Sequence, residues 1–231
     1  MQNPKKQLSE FQEKLSARIW ELGQKLQVLE FFEECRVEKK GSLKLKVFNE
    51  FRYLFSSIWS SLRSDILINL NSLFDESKEA KRSLVYFIKK VKTHIKVLRK
   101  DLPVKEIKIL EAEIDNQLTI IASKKAILDS IKTSRDRFYA HHDSKYVDNP
   151  KQLLSDAPLA FNDVVELLEF CRNVLNWHQN NTILCATDLW SEDRGKIELE
   201  NLFCFVNRYF KMCEYIQKRE GAKVLNELLV S

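Results

Sequence analysis

The residues best suited to chemistry in this sequence are concentrated in one nine-residue stretch, residues 135–143. It carries two arginines, two carboxylates, a tyrosine and two of the four histidines in the chain: Arg135, Asp136, Arg137, Tyr139, His141, His142 and Asp143. A guanidinium offers a fixed fork of donors to an anion, and an imidazole exchanges protons near neutral pH. The stretch is therefore suited to proton transfer beside an anion.

A helix is expected to position these side chains. An apolar pattern runs into the stretch (Ile121, Ile127, Leu128, Ile131 and Phe138), and Ser144 with the segment 148–150 predicts its end. Residues three, four and seven apart share a helical face. Three neighbouring stripes follow: Arg135 with Tyr139 and His142, Arg137 with His141, and Asp136 with Ala140 and Asp143.

Two other interpretations of the stretch need no catalysis by these side chains. It could be a charged helix terminus whose polar side chains are solvated. His141 and His142 could instead bind a metal, but neighbours in sequence diverge on a helix. We therefore predict neither a metal site nor a cofactor.

The order of residues in this stretch resembles the signature of the HEPN superfamily. That signature is an arginine, usually followed by a polar residue, and a histidine after four to six intervening residues, as in Arg135, Asp136 and His141. The full string is similar to the abortive-infection (AbiU-type) branch, and Leu-Asn-Ser-Leu-Phe-Asp at 70–75 is similar to that branch's upstream helix end. The resemblance covers residues 45–180 and, more loosely, the rest.

The resemblance implies a four-helix core and a metal-independent ribonuclease site that is built across a homodimer. His141 is suited to move protons and Arg135 to stabilise a crowded phosphorane, while Asp136 would orient one of them and Tyr139 would contact the phosphate. Arg137, His142 and Asp143 are alternates. Helical geometry pairs Arg135 with His142, whereas the resemblance pairs it with His141, and we follow the resemblance.

The composition favours long helices and excludes several classes of site. The 231 residues include only four glycines and four prolines, and 44% are hydrophobic. Neither Gly-x-Gly nor the P-loop string is present. The five cysteines are odd in number and lack Cys-x-x-Cys spacing, which argues against a disulfide framework or a zinc site. Without a secretory signal or an apolar run of membrane-spanning length, the expected location is the cytoplasm, with no membrane partner.

Positive charge is concentrated in residues 78–108. This segment contains eleven lysines and arginines but only three acidic residues, whereas the net charge of the whole chain is only +5. Four of these cations follow helical spacing, and we call them the basic stripe: Lys89, Lys92, Lys96 and Arg99. Like charges at this spacing repel one another. The basic stripe is therefore a candidate RNA-binding surface, although a charge run is more often a solvated face.

Apolar spacing of 3.6 residues predicts an all-α, HEPN-like bundle that forms a single domain over 1–231. The core spans about 45–180, with flanking helices at 5–35 and 196–230. The predicted core helices cover 43–74, 83–100, 104–143 with a break near 122–126, and 161–177. Residues 178–192 are expected to be a flexible loop.

The expected activity is endoribonuclease cleavage by 2′-hydroxyl attack, in phage defence or as a toxin. The alternative is a non-catalytic, HEPN-like interaction module or an antitoxin-controlled, partner-binding protein. The expected partners are an RNA substrate, a second copy of the chain, and an antitoxin or nucleotidyltransferase-type protein.

Overall fold

The structure is a computed structural model that describes residues 3–77, 79–136, 155–184 and 194–220. Its helices are α1 (Pro4–Val37), α2 (Leu43–Glu50), α3 (Arg52–Leu73), α4 (Leu84–Leu98), α5 (Val104–Ser123), α6 (Lys125–Thr133), α7 (Phe161–His178) and α8 (Arg194–Glu220). The described residues contain no strand, which confirms the predicted all-α class.

The described residues form two compact units. The first comprises Met1–Gly23 and Arg63–Ser191, and the second comprises Gln24–Leu62 and Glu192–Ser231. The single domain expected from the sequence stays a prediction.

The first unit contains α4, whose apolar residues recur at helical spacing and form a buried face. Leu84, Ile88, Val91, Ile95 and Leu98 are all buried. The helix begins where the Ser83 hydroxyl accepts a hydrogen bond of 3.1 Å from the backbone N–H of Tyr86. Phe87, fully buried, meets Phe11 of α1 edge to face at 5.6 Å between ring centroids. Truncating such a core aromatic to alanine typically costs about 3–5 kcal/mol.

The second unit has an aromatic core supplied by α1, α2, α3 and α8. Its buried members are Phe31, Phe32, Cys35, Val47, Phe55 and Phe203. At its edge, the indole N–H of Trp59 donates a 2.9 Å hydrogen bond to Oε1 of Glu33. Phe48, Phe55 and Trp59 pack in or against this core, whereas Phe51 is 39% exposed.

Two of the predicted helix boundaries are wrong. The helix expected over 43–74 is broken at Phe51, whose φ of −105° and ψ of 29° leave the helical region. The loop expected from residue 178 is helical at its start, because α7 includes His178 and a wider π-type turn follows over Gln179–Ile183. The break expected near 122–126 is confirmed at Lys124, between α5 and α6.

Candidate active site

The described part of the candidate site lies at the end of α6. This short helix buries Ile131, and the buried Ser134 follows one turn later. A π-type turn then continues through residues 134–136. Because Ile131 and Ser134 face inward, the next two residues, Arg135 and Asp136, lie at the boundary between core and solvent.

Arg135 and Asp136 form an ion pair although they are adjacent in sequence. Nε of Arg135 donates a 2.6 Å hydrogen bond to Oδ1 of Asp136, and Nη2 contacts the same oxygen. Their side chains are 28% and 36% exposed. The guanidinium is therefore fixed on one edge by its neighbour and remains open enough to meet a ligand.

The other residues of the predicted site lie outside the described residues. They are Arg137, Tyr139, His141, His142 and Asp143. The choice between His141 and His142 therefore stays a prediction. Within the described part, the structure brings together two of the predicted catalytic residues, Arg135 and Asp136.

The basic stripe is less uniform in the structure than its sequence suggests, because acidic residues from other segments pair with it. Nζ of Lys89 lies 3.3 Å from Oε2 of Glu76, and Nζ of Lys92 contacts Oδ1 of Asp115. Lys96 is exposed and forms no ion pair with a residue that the structure describes. Its role in RNA binding stays a prediction.

Arg99, the last member of the basic stripe, has a structural contact that the sequence did not indicate. Its guanidinium donates to both carboxylate oxygens of Asp101, at 3.4 and 3.2 Å, and to the backbone carbonyl of Asn181. The hydrogen bonds from Arg99 lower the pKa of Asp101 below its usual range. Since only 12% of its side chain is exposed, Arg99 is mostly committed to holding the turn after α7.

The prediction that His178 lies in a flexible loop is wrong, because the residue lies in the core. Its ring is fully buried, with Nε2 3.0 Å from Oε1 of Gln117 and Nδ1 3.1 Å from the hydroxyl of Thr182. Burial lowers its pKa to about 3. A ring that stays neutral in this way joins α5 to α7 and is unsuited to exchange protons at neutral pH.

No group of three or more His, Cys, Asp or Glu side chains that could hold a metal occurs within the described ranges. Among the helices that the structure describes, none is long and apolar enough to cross a membrane.

Comparison with known proteins places the chain in a family. The HEPN family model described as AbiU2 matches residues 5–196, which is most of the chain. Comparisons with curated proteins and with solved structures returned no match. The matched region includes the whole 135–143 stretch, all of α1 except Pro4, and the described helices α2 to α7. The chain therefore belongs to the AbiU2 family of HEPN proteins.

Proposed function

We propose that this protein is a metal-independent endoribonuclease that acts in phage defence or as a toxin. Membership of an abortive-infection HEPN family supports an RNA-directed role. The observation that carries the proposal is the partly exposed Arg135–Asp136 pair at the start of the Arg-Asp…His sequence. A guanidinium held in one orientation beside solvent is suited to bind a phosphate.

In the proposed reaction, the 2′-oxygen of a ribose forms a bond to the adjacent phosphorus, and the bond from phosphorus to the 5′-oxygen breaks. One proton must leave the 2′-hydroxyl, and another must reach the 5′-oxygen. His141 is the proposed proton carrier, and Arg135 stabilises the charge on the phosphorane. Tyr139 is proposed to contact the phosphate. The products are a 2′,3′-cyclic phosphate and a 5′-hydroxyl.

Asp136 is proposed to orient Arg135. Its carboxylate occupies Nε and Nη2 of the guanidinium. Nη1 has no hydrogen bond to a residue that the structure describes, and it is the nitrogen we assign to phosphate. An Arg side chain carries about 2 kcal/mol of rotamer entropy, so a neighbour that fixes it before RNA binds reduces the cost of ordering it then.

A homodimer is proposed because one motif supplies few proton carriers, whereas two facing motifs supply both an acid and a base. A surface suited to self-association is present on α8. Four large apolar side chains follow heptad spacing and are 43–70% exposed: Leu202, Phe205, Tyr209 and Met212. We call them the α8 apolar stripe. Such spacing is typical of helices that pair with another helix.

The same apolar stripe favours the alternative, an interaction module that binds an antitoxin or nucleotidyltransferase-type partner without cleaving RNA. The two proposals differ in whether the 135–143 stretch is needed for an effect in cells.

Expression in bacteria tests the proposed function. The wild-type protein should arrest growth and degrade cellular RNA, and His141→Ala should do neither at equal protein level. If both proteins arrest growth and leave RNA intact, toxicity comes from binding and the nuclease assignment is wrong.

A further inference from the structure

A basic groove of about 820 Å³ lies in the first unit, and neither Arg135 nor Asp136 is among its lining residues. Its lining comes from α1, from the end of α3 and from the segment before α4. Four of the lining residues are cations, namely Lys14, Arg18, Lys81 and Arg82, and one is a carboxylate, Glu10. The groove therefore presents a strong excess of positive charge to whatever enters it.

Three of these cations are not neutralised within the described structure. Lys14, Lys81 and Arg82 are exposed, and none forms an ion pair with a described residue. Lys81 and Arg82 are held in place by successive turns, since the backbone N–H of Lys81 bonds to the carbonyl of Glu79 at 2.8 Å and that of Ser83 bonds to the carbonyl of Ala80 at 3.2 Å. Their position next to the groove follows from the backbone of this turn.

Arg18 is positioned more rigidly than the other three. Its Nε and Nη2 donate 3.0 Å hydrogen bonds to the side-chain and backbone oxygens of Asn69, and Asn69 in turn donates to Asp65. The guanidinium is thus oriented by a neutral amide. Burial lowers its pKa from the usual value, although an arginine remains charged at neutral pH.

The chemistry of the groove points to a phosphate polymer. Its volume lies within the range of about 300–1,000 Å³ that accommodates drug-sized ligands, so it can hold a nucleotide unit and not only a single ion. Exposed lysines and arginines bind a phosphate backbone without selecting a sequence. The side chains of Phe11 and Leu15 add apolar surface to the same lining.

We propose that this groove binds the phosphate backbone of single-stranded RNA through Lys14, Arg18, Lys81 and Arg82. The groove would hold the substrate at a second point, in addition to the phosphate bound by Arg135. The groove proposal depends on the proposed ribonuclease function in one respect, which is that the bound phosphate polymer is RNA.

Binding to a 2′-O-methyl RNA oligonucleotide tests the groove, because this RNA lacks the 2′-hydroxyl and cannot be cleaved by the proposed reaction. The test variant is Lys14→Gln/Lys81→Gln/Arg82→Gln. The matched control is Lys105→Gln/Lys108→Gln/Lys125→Gln, which removes three exposed lysines that also form no ion pair with a described residue. Fluorescence anisotropy over a salt series gives Kd and its salt dependence.

The groove variant should bind about tenfold or more weakly near 0.1 M salt. The slope of log K against log salt should fall by about 2, since each single-strand phosphate contact contributes about 0.7. The slope for the control variant should differ from the wild-type slope by no more than about 0.7, which is the contribution of one phosphate contact. Equal weakening of both variants, wild-type binding by the groove variant, or no RNA binding by the wild type would each overturn the proposal.

A parallel assay with unmodified RNA separates this proposal from the nuclease assignment. If the groove variant binds and cleaves like the wild type, the groove proposal is wrong and the nuclease assignment stands. If the wild type binds RNA through the groove but never cleaves it, the groove proposal stands and the nuclease assignment is wrong.

Discussion

Nε of Arg135 and Oδ1 of Asp136, on consecutive residues in the turn that follows α6, are joined by a 2.6 Å hydrogen bond. Consecutive residues on a regular helix point about 100° apart. The wider turn over residues 134–136 accompanies the contact between the two side chains. The importance of this orientation can therefore be tested by substituting Asp136 while Arg135 is kept.

Asp136→Asn and Asp136→Ala should therefore differ in activity. The amide of Asn keeps an oxygen that can accept from Nε of Arg135, whereas Ala removes the one partner that the guanidinium has among the described residues. We expect the rate of RNA cleavage to fall about tenfold in Asp136→Asn and about 100-fold in Asp136→Ala, mainly through a lower kcat. Single-turnover cleavage measures both.

The control for the Asp136 variants is Asp129→Asn, which removes an exposed carboxylate from α6, the helix that precedes Asp136. It should leave cleavage unchanged. Equal activity of Asp136→Ala and the wild type would show that Asp136 does not orient Arg135 for catalysis.

The basic stripe should separate into a structural member and an RNA-binding member. Arg99→Gln removes a charged hydrogen bond to the carbonyl of Asn181, so we expect it to lower the free energy of unfolding by about 2 kcal/mol. Lys96→Gln removes an exposed charge and should leave stability within about 0.5 kcal/mol while lowering the salt slope of RNA binding by about 0.7. Denaturant unfolding and an RNA-binding salt series measure the two effects.

An unchanged salt slope in Lys96→Gln would assign that lysine to solvent. Full stability of Arg99→Gln would show that its contact with Asn181 contributes little.

The buried His178 should make stability depend on pH. Its pKa is about 3 in the folded protein and 6.5 when unfolded, so below pH 6.5 the unfolded state binds a proton that the folded state does not. The contribution of His178 to the free energy of unfolding is fully present above pH 6.5, and it decreases as the pH falls from 6.5 towards 3. Between pH 7 and pH 5 the free energy of unfolding should decrease by about 2 kcal/mol.

His178→Gln cannot titrate and should lose that part of the pH dependence, whatever its stability at pH 7. Urea unfolding at pH 7 and pH 5 gives the difference for each protein. An identical pH dependence in the two proteins would contradict a neutral, buried His178.

The α8 apolar stripe should support self-association. Phe205→Glu places a carboxylate where the side chain is 70% exposed, so the fold should tolerate it while helix pairing is disrupted. Sedimentation should give twice the 27.3 kDa chain mass for the wild type and a shift towards the monomer for Phe205→Glu.

Cys204→Glu is the matched control for the α8 apolar stripe, because it adds the same charge at an exposed position about 100° around the helix from Phe205. It should keep the dimer. A dimer that survives Phe205→Glu would exclude this stripe as the contact surface.

Several elements could be predicted because their apolar spacing follows a helix closely. The buried face of α4 and the break at Lys124 are examples, since the apolar phase changes where α5 ends. The break at Phe51 had no such signal, because neither glycine nor proline marks it and the aromatic spacing continues across it.

His178 was assigned to a loop because Gln179, Asn180, Asn181 and Thr182 give a polar sequence after it. In the structure the hydroxyl of Thr182 bonds within the turn, and His178 reaches Gln117 sixty-one residues away. Periodicity does not indicate a polar contact between distant segments. For the same reason, the sequence did not predict the ion pairs of Lys89 and Lys92 or the grouping of cations in the basic groove.

Cleavage of RNA by purified protein in the presence of EDTA tests the central claim most directly. The wild type should produce fragments with 2′,3′-cyclic phosphate ends, and His141→Ala and Arg135→Lys should produce almost none, because an ammonium cannot replace the guanidinium fork. Loss of activity in His142→Ala with retention in His141→Ala would move the catalytic role to His142. Cleavage that requires a divalent metal, or no cleavage by the wild type free of partners, would contradict a metal-independent ribonuclease.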